Sequence, residues 1–563
     1  MTLMQKWFWI ITVIVNPVTA FISYQYWAPG FWIVGVLSLY TVVGLYDLFF
    51  SRHTLNRLYP VAAYCRYALE YIRPEIRQYF IASNTDELPF NRELRSLVYR
   101  RAQNLDDTMP FGTERDIKTT GYDGAAHSII PTTVREETKR VTIGGEQCTK
   151  PYSAARLNCS AMSFGSLGAH AIQAINRGAK VAGFYHNTGE GGLSPYHLEE
   201  GGDIVWQIGT GYFSCRNPDG TFNPDAFKER AQLDQVKMIE IKISQGAKPS
   251  HGGVLPAAKV TEEIAKIRLV EMGKDVLSPP AHSTFNTPKG LLDFVVQLRG
   301  LSGGKPVGFK LCIGHLYEFM AICKAMVETG TLPDFITIDG AEGGTGAAPV
   351  EYSNRLGVPC LEGVYFVHNC LKGIGVRDKI KLIASGKTAS GFDIISKIAV
   401  GADVVNAART MMMALGCVQS QSCNTNRCPT GIATQDPVRG KALDIDSRHQ
   451  RVANFQRNTL NSFFDLVGAM GLDDPDKLAP RHIWRRVEDE SKRYFDEIYP
   501  SLAENELLGD KIEGCTTWNG PWRPRIRSCH NRPMGRVRSI DRISNATAVS
   551  FLASRVTWAV VGG

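Results

Sequence analysis

IKLIASGKTASGFDIISKIAVGADVVNAAR, residues 380 to 409, holds two short apolar runs, Ile380 to Ser385 and Val404 to Ala408, on either side of a helix-like stretch from Gly391 to Val400. Each run ends in a polar or glycine-bearing turn, SerGlyLysThr at 385–388 and AsnAlaAlaArg at 406–409. Short β-type runs that alternate with helical ones are the mark of parallel strands buried on both faces. Working outward, six more such runs precede it, near Leu157 to Ser160, Val181 to Asn187, Val205 to Phe213, Met238 to Ser244, Val307 to Ile313 and Phe335 to Gly340. Helical patterns such as Ala169 to Lys180 and Glu318 to Thr329 lie between several of them. Eight βα units predict an α/β fold closed into a (β/α)8 TIM-type barrel over residues 150–440, with an open doubly wound sheet as the alternative architecture.

The turns after barrel strands are where such folds place their chemistry, and the loops after strands seven and eight commonly cradle a phosphate. Here those positions pair exposed backbone with cations, in SerGlyLysThr, in Gly401 to Asp403 and in the AlaArg pair that closes the eighth run. This content suits a phosphorylated planar cofactor. SerGlyLysThr is not a P-loop, because the first glycine of that spacing is missing.

Directly beyond the eighth run comes GCVQSQSCNTNRCPTG, in which Cys417, Cys423 and Cys428 are separated by five and then four residues and followed by Pro429. Thiolates on a short loop are the ligands that iron–sulfur clusters require, and the proline stops a helix from running through the turn. Three ligands point to a [3Fe-4S] centre. On spacing alone a zinc site with three thiolates, a disulfide and unpaired buried thiols stay open.

With 563 residues, 44% hydrophobic and 21% charged, the chain is long and apolar enough for a large core and is neither disordered nor fibrous. Thirteen cysteines scattered through so long a chain imply a reducing compartment and no disulfide framework. The net charge of +8 resides almost wholly in residues 515–563, which carry eight arginines against the single acid Asp541. A poorly ordered extension is expected there, and no nucleic-acid partner.

Residues 7–27 and 31–50 each approach the roughly 20 apolar residues needed to cross a bilayer. Trp7, Trp9, Trp27, Trp32, Phe49 and Phe50 mark the segment ends, and no charge falls between Lys6 and Asp47. The expectation is a transmembrane hairpin over 1–58, kinked at Asn16-Pro17, rather than a signal peptide, since no small-residue cleavage site follows. Lys6, Arg52, Arg57 and Arg66 flank its ends, which puts the body on the cytoplasmic side of an inner membrane under the positive-inside rule. Residues 59–149 read as a helical stalk, with an amphipathic helix over 59–80, a basic one over 93–104 and an irregular lead-in to Thr149. Residues 441–514 read as a C-terminal helical segment.

The segments CSAMSFGSLG (159–168), NTGEGG (187–192), IEIKISQGAKPSHGGVLPAAKV (239–260), LSPPAH (277–282), GFKLCIG (308–314), IDGAEGGTGAAP (338–349) and CPTGIATQDP (428–437) resemble the FMN-binding synthase domain of the glutamate synthase large subunit. The hairpin followed by RPEIRQYF resembles the short, membrane-anchored bacterial members of that family. The resemblance implies FMN and one [3Fe-4S] cluster on a (β/α)8 barrel, and reductive amination of 2-oxoglutarate to glutamate. The chain starts MTLMQKW instead of with a nucleophilic cysteine and shows no GxGxxG fingerprint, so ammonia and electrons are expected from elsewhere. The external donor expected is a ferredoxin, a quinone or a reductase subunit.

The FMN positions this implies are Ser160, Ala161, Met162, Ser163, Lys310, Gly343, Gly344, Thr345, Ser385, Gly386, Lys387, Gly401, Ala408 and Arg409. Lys310 is the cation expected beside the flavin N1 and C2 carbonyl, where reduction builds negative charge. Lys248 would bind the carboxylate of a small oxo or amino acid, Gln245 its keto or imino group, and His251 would move a proton. Glu190 is a polar wall or acid, and Asp339 and Glu342 tie the GGTG turn. Two other readings are a membrane-linked flavin oxidoreductase acting on another small acid, and a flavoprotein scaffold without catalysis.

Overall fold

In the computed structural model the eight runs form eight parallel strands hydrogen-bonded into one closed barrel. They are β1 (Leu157–Cys159), β2 (His186–Asn187), β3 (Ile204–Ile208), β4 (Val236–Lys242), β5 (Val307–Leu311), β6 (Phe335–Asp339), β7 (Lys381–Ser385) and β8 (Val404–Ala407). Each strand pairs with its sequence neighbours, and β8 closes on β1 through Val405 opposite Leu157 and Ala407 opposite Cys159. This excludes the open sheet. Some strands are shorter than the apolar runs that announced them: Val181 and Ala182 finish helix α1 (Ala169–Ala182), and only His186 and Asn187 pair as β2.

The structure describes residues 1–488 and 491–508, so the arginine-rich tail expected at 515–563 lies outside the described residues. The chain divides into two compact units, Met1–Glu93 and Leu94 onward. The barrel and the described residues that follow it belong to the second.

The N-terminal end of the barrel is plugged. An antiparallel hairpin, Arg140–Ile143 with Tyr152–Ala155, stands where the sequence suggested an irregular lead-in. Val141, Ile143, Tyr152 and Ala154 pack there on Tyr185, Val205, Met238, Phe335, Ile383 and Val404 from the barrel. Each buried Val, Ile, Met or Phe side chain there stabilises the fold by ~1.5–3 kcal/mol. Deeper in the barrel the buried carboxylate of Glu240 accepts hydrogen bonds from Asn187 Nδ2 (2.8 Å), Gln207 Nε2 (2.7 Å) and Thr337 Oγ1 (2.6 Å). A buried polar group satisfied three ways fixes the facing strands instead of weakening them.

After β8 come α2 (Arg409–Leu415) and the long α3 (Ile445–Ala469). The latter packs on α1, with Gln456 Nε2 bonded to Leu157 O (3.1 Å) at the start of β1. The segment beyond it is not purely helical. Ile483–Arg486 pairs antiparallel with Asp123–Ala125 on one side and Lys492–Tyr494 on the other, pinned by Arg485 donating to both carboxylate oxygens of Asp123 (2.7 and 2.8 Å). The lead-in and the C-terminal segment thus share a sheet in the barrel's own unit.

In the first unit, two apolar helices, Leu3–Gln25 of 23 residues and Ala28–Phe49 of 22, are long enough to cross a membrane. They touch through Phe8 and Tyr40, with ring centroids 5.6 Å apart, and through Thr12 and Thr41 (3.4 Å). At Asn16-Pro17 the first helix widens: Ile11–Val15 forms a π-turn in which Asn16 N–H reaches back to Ile11 O. Pro17 has no N–H to continue the ladder, and the wider turn absorbs the defect. Asp47, near the end of the second helix, is buried and accepts from Asn56 Nδ2 (3.1 Å), Val61 N (2.9 Å) and Tyr64 Oη (3.0 Å). It ties the start of the following helix, Ala62–Ile76, to the end of the hairpin.

Candidate active site

The C-terminal ends of the strands gather nearly all the residues singled out by sequence. Ser160 follows β1 and donates its N–H to Ala407 O (3.0 Å), while its hydroxyl lies 3.2 Å from that of Ser385 at the end of β7. Met162 N bonds to Asn187 O (3.1 Å), which aims the turn through Ala161 and Ser163 over the mouth. On the β7 and β8 side, Thr410 Oγ1 donates to Thr388 O (2.8 Å) and joins the loop of Gly386 and Lys387 to the start of α2 at Ala408 and Arg409. Arg409 Nη2 donates to Glu342 O, and the Glu342 carboxylate takes the Cys360 N–H (3.1 Å), so the turn of Gly343, Gly344 and Thr345 is held against Arg409. Lys387 and Arg409 are half-buried and act on one another; burial lowers the pKa of both. Two cations held together at the barrel mouth suit a phosphate dianion, and that donor set fits FMN.

Gly401 departs from expectation. It precedes β8 and so lies at the opposite, N-terminal end of the barrel, where its carbonyl accepts from Arg377 Nη2 (2.7 Å). The glycine-rich appearance of GlyAlaAsp reflects the tight turn that brings the chain back into β8.

Beside the phosphate side, Lys310 is buried at the end of β5 and pairs with Asp339 Oδ2 at 3.4 Å. The same oxygen accepts the Gly246 N–H (2.8 Å), which fastens the loop after β4 to the end of β6. On that loop Gln245 is half-buried, Lys248 is buried with Nζ on Ala347 O (2.9 Å), and His251 meets Tyr352 edge to face, centroids 5.1 Å apart. Ser353 Oγ bonds to Ala247 O (2.9 Å), so the loops after β4 and β6 are laced together over the mouth.

Glu190 sits in a ring of cations. It bonds to Lys242 Nζ at 2.7 Å. Burial pushes its pKa up, but Lys242, Lys248 and Arg268 outweigh burial and hold it below the usual carboxylate range, so it is an anion at neutral pH and a wall or cation-binding group rather than an acid. Burial drives Lys248 down to about 8 and Arg268 to about 10, both partly countered by Glu190. Arg268 is 5% exposed, donates Nη2 to Phe164 O (3.0 Å) and leaves Nε without a partner, which an incoming anion can fill. His282 of LSPPAH lies between Lys242 O (2.9 Å) and Tyr212 Oη (3.0 Å) and steadies the end of β4.

Lys242 and Arg268 were not legible as site residues. Lys242 lies near the end of its run and could have been suspected from that alone, whereas Arg268 sits in EEIAKIR, whose spacing reads as an ordinary exposed helix.

The cysteine loop docks against the first barrel loop: Gln435 Nε2 donates to Gly165 O (3.0 Å) and Leu167 O (2.8 Å), and Gly168 N to Ile432 O (2.9 Å). A side chain at Gly168 would meet Thr434 O at 2.7 Å, so only glycine allows this approach. The thiols of Cys417, Cys423 and Cys428 lie close enough to act on one another. All three cysteines are free, and among the described residues no three His, Cys, Asp or Glu side chains converge on a single ion. Burial pushes Cys428 up, yet the Thr430 hydroxyl and the N–H groups of Ala433, Thr430 and Ile432 outweigh it and favour the thiolate that iron requires.

The family described as "Conserved region in glutamate synthase" matches residues 103–473. The Glutamate synthase large subunit-like protein YerD of Bacillus subtilis is 37% identical over 511 residues, covering 83% of this chain and 97% of that protein. The Archaeal-type glutamate synthase (NADPH) of Thermotoga neapolitana is 35% identical over 316 residues, 56% of this chain and 59% of that protein. The Glutamate synthase (NADPH) large chain of Bacillus subtilis is 28% identical over 381 residues, 66% of this chain and 23% of that protein.

Proposed function

Because the chain belongs to the glutamate synthase family, we propose that it is an FMN and iron–sulfur oxidoreductase that makes glutamate by reductive amination of 2-oxoglutarate, with ammonia and electrons supplied from outside. The observation that carries this reading is the ring of Lys242, Lys248 and Arg268 around Glu190, placed at the same barrel mouth as Lys310, Lys387 and Arg409. It offers cations for a dicarboxylate and an anion for ammonium beside a place for the flavin.

FMN, when bound, supplies hydride to an imine carbon. Lys387, Arg409 and the turns at Ser385–Gly386 and Gly343–Thr345 would hold its phosphate, with Ser160, Ala161, Met162 and Ser163 lining the first barrel loop. Lys310 would offset negative charge that builds next to it. Lys248 and Arg268 would bind carboxylates, Gln245 would orient the keto oxygen, and Glu190, an anion, would pair with ammonium and hold it at the keto carbon, the proton leaving to water as the free amine attacks. His251, on the laced loop, would return a proton to the leaving oxygen. Cys417, Cys423 and Cys428 would hold a [3Fe-4S] cluster that passes single electrons from a ferredoxin, a quinone or a reductase subunit. The two apolar helices would anchor the chain in the cytoplasmic membrane, with Lys6, Arg52 and Arg57 keeping the barrel on the cytoplasmic side.

The test is direct. Detergent-solubilised protein supplied with 2-oxoglutarate, ammonium and reduced ferredoxin or a viologen is expected to form glutamate, and no glutamate above buffer would overturn the assignment. Flavin oxidation by some other oxo acid alone would redirect it to that substrate.

A further inference from the structure

We propose that Lys259 and Arg95, two buried cations flanking the cysteine loop, set the reduction potential of the iron–sulfur cluster assigned there, an inference that rests on that assignment. Lys259 is 2% exposed and closes the short turn Ala257–Lys259. Its Nζ donates to Ser166 O (2.8 Å), in the first barrel loop on which the cysteines dock. Asn426, between Cys423 and Cys428, donates Nδ2 to Ala258 O (3.0 Å) and staples the turn of Lys259 to the loop. The charges that act on Lys259 are those of Cys423 and Cys428.

Arg95 approaches from the helix Arg92–Ala102 and is 6% exposed. Tyr99, one turn further along, donates its hydroxyl to Cys417 O (2.7 Å), which fixes that face of the helix on the loop. The charge of Arg95 acts on the Cys417 thiol. Each cation therefore faces a different part of the three-thiolate set, and each is too buried for water to screen it.

Reduction of the cluster adds one electron to an assembly that three thiolates already make negative, with no bond made or broken. Buried positive charge stabilises the reduced form more than the oxidised form, so it raises the potential. Neutralising either residue is expected to weaken the cluster's hold on its electron.

The experiment is an EPR-monitored redox titration of the full-length protein in detergent, with iron content measured in parallel. Lys259→Gln and Arg95→Gln are each expected to keep wild-type iron and to lose at least tenfold in electron affinity, a fall of about 59 mV for a one-electron couple. Lys259→Arg, which preserves the charge, is expected to stay near wild type. A neutral variant with full iron and an unmoved potential overturns the inference while leaving the cluster in place. Iron-free wild-type protein overturns the cluster assignment and this inference with it. Should Lys259→Gln fail to hold iron, the titration of Arg95→Gln decides.

Discussion

Glu190 shows how much of a site's chemistry depends on neighbours that are distant in sequence. Its partners Lys242, Lys248 and Arg268 lie more than fifty positions away, and together they fix its charge. Glu190→Gln is expected to lower kcat by about 10²-fold or more, as loss of the anion that positions ammonium does. It also leaves Lys242 buried without its counter-charge, which costs about 3–5 kcal/mol of stability; steady-state kinetics with thermal unfolding check both, and a folded variant with wild-type kcat would exclude the role. Lys248 yields a pH prediction. Burial places its pKa at about 8, so it is charged at neutral pH and loses its proton as pH rises through that value. The KM for 2-oxoglutarate is therefore expected to climb above pH 8, by up to about tenfold per unit, whereas Lys248→Arg holds KM flat to higher pH. A flat profile in the wild type would remove Lys248 from substrate binding.

The elements that were easiest to read are those whose pattern is local. All eight β-type runs became barrel strands, because a strand buried on both faces must be apolar throughout and must end where the chain meets water. The plug hairpin and the strand Ile483–Arg486 were missed, since four alternating residues next to charged ones resemble loop. Loop lacing was also invisible. At Gly246 a Cβ would lie 1.6 Å from Gly340 O, so the loops after β4 and β6 meet there backbone to backbone. Gly246→Ala is expected to cost about 1–3 kcal/mol through overpacking and to release FMN, seen as free flavin fluorescence and a lowered Tm. The cysteine loop is a separable element. Cys423→Ser is expected to abolish iron–sulfur absorption and retain FMN, and unchanged iron content would defeat the cluster assignment.

At the scale of the molecule, the chain joins an apolar helical unit to a barrel whose flanking segments, before and after, share one sheet. The full chain is expected to sediment with membranes and to resist salt extraction, while a chain lacking residues 1–58 fractionates as soluble protein; co-sedimentation of the truncated form would place the anchor elsewhere. Sequence alone determined the barrel, the two apolar spans, the three cysteines and most of the mouth-lining residues, because each rests on a periodicity or spacing within one short segment. Tertiary structure decided what no segment contains: that Gly401 lies at the far end, that Lys242 and Arg268 join Glu190, and that Lys259 and Arg95 face the cysteines. Burial and electrostatics act through space, and the closed barrel brings together charges that the chain keeps far apart.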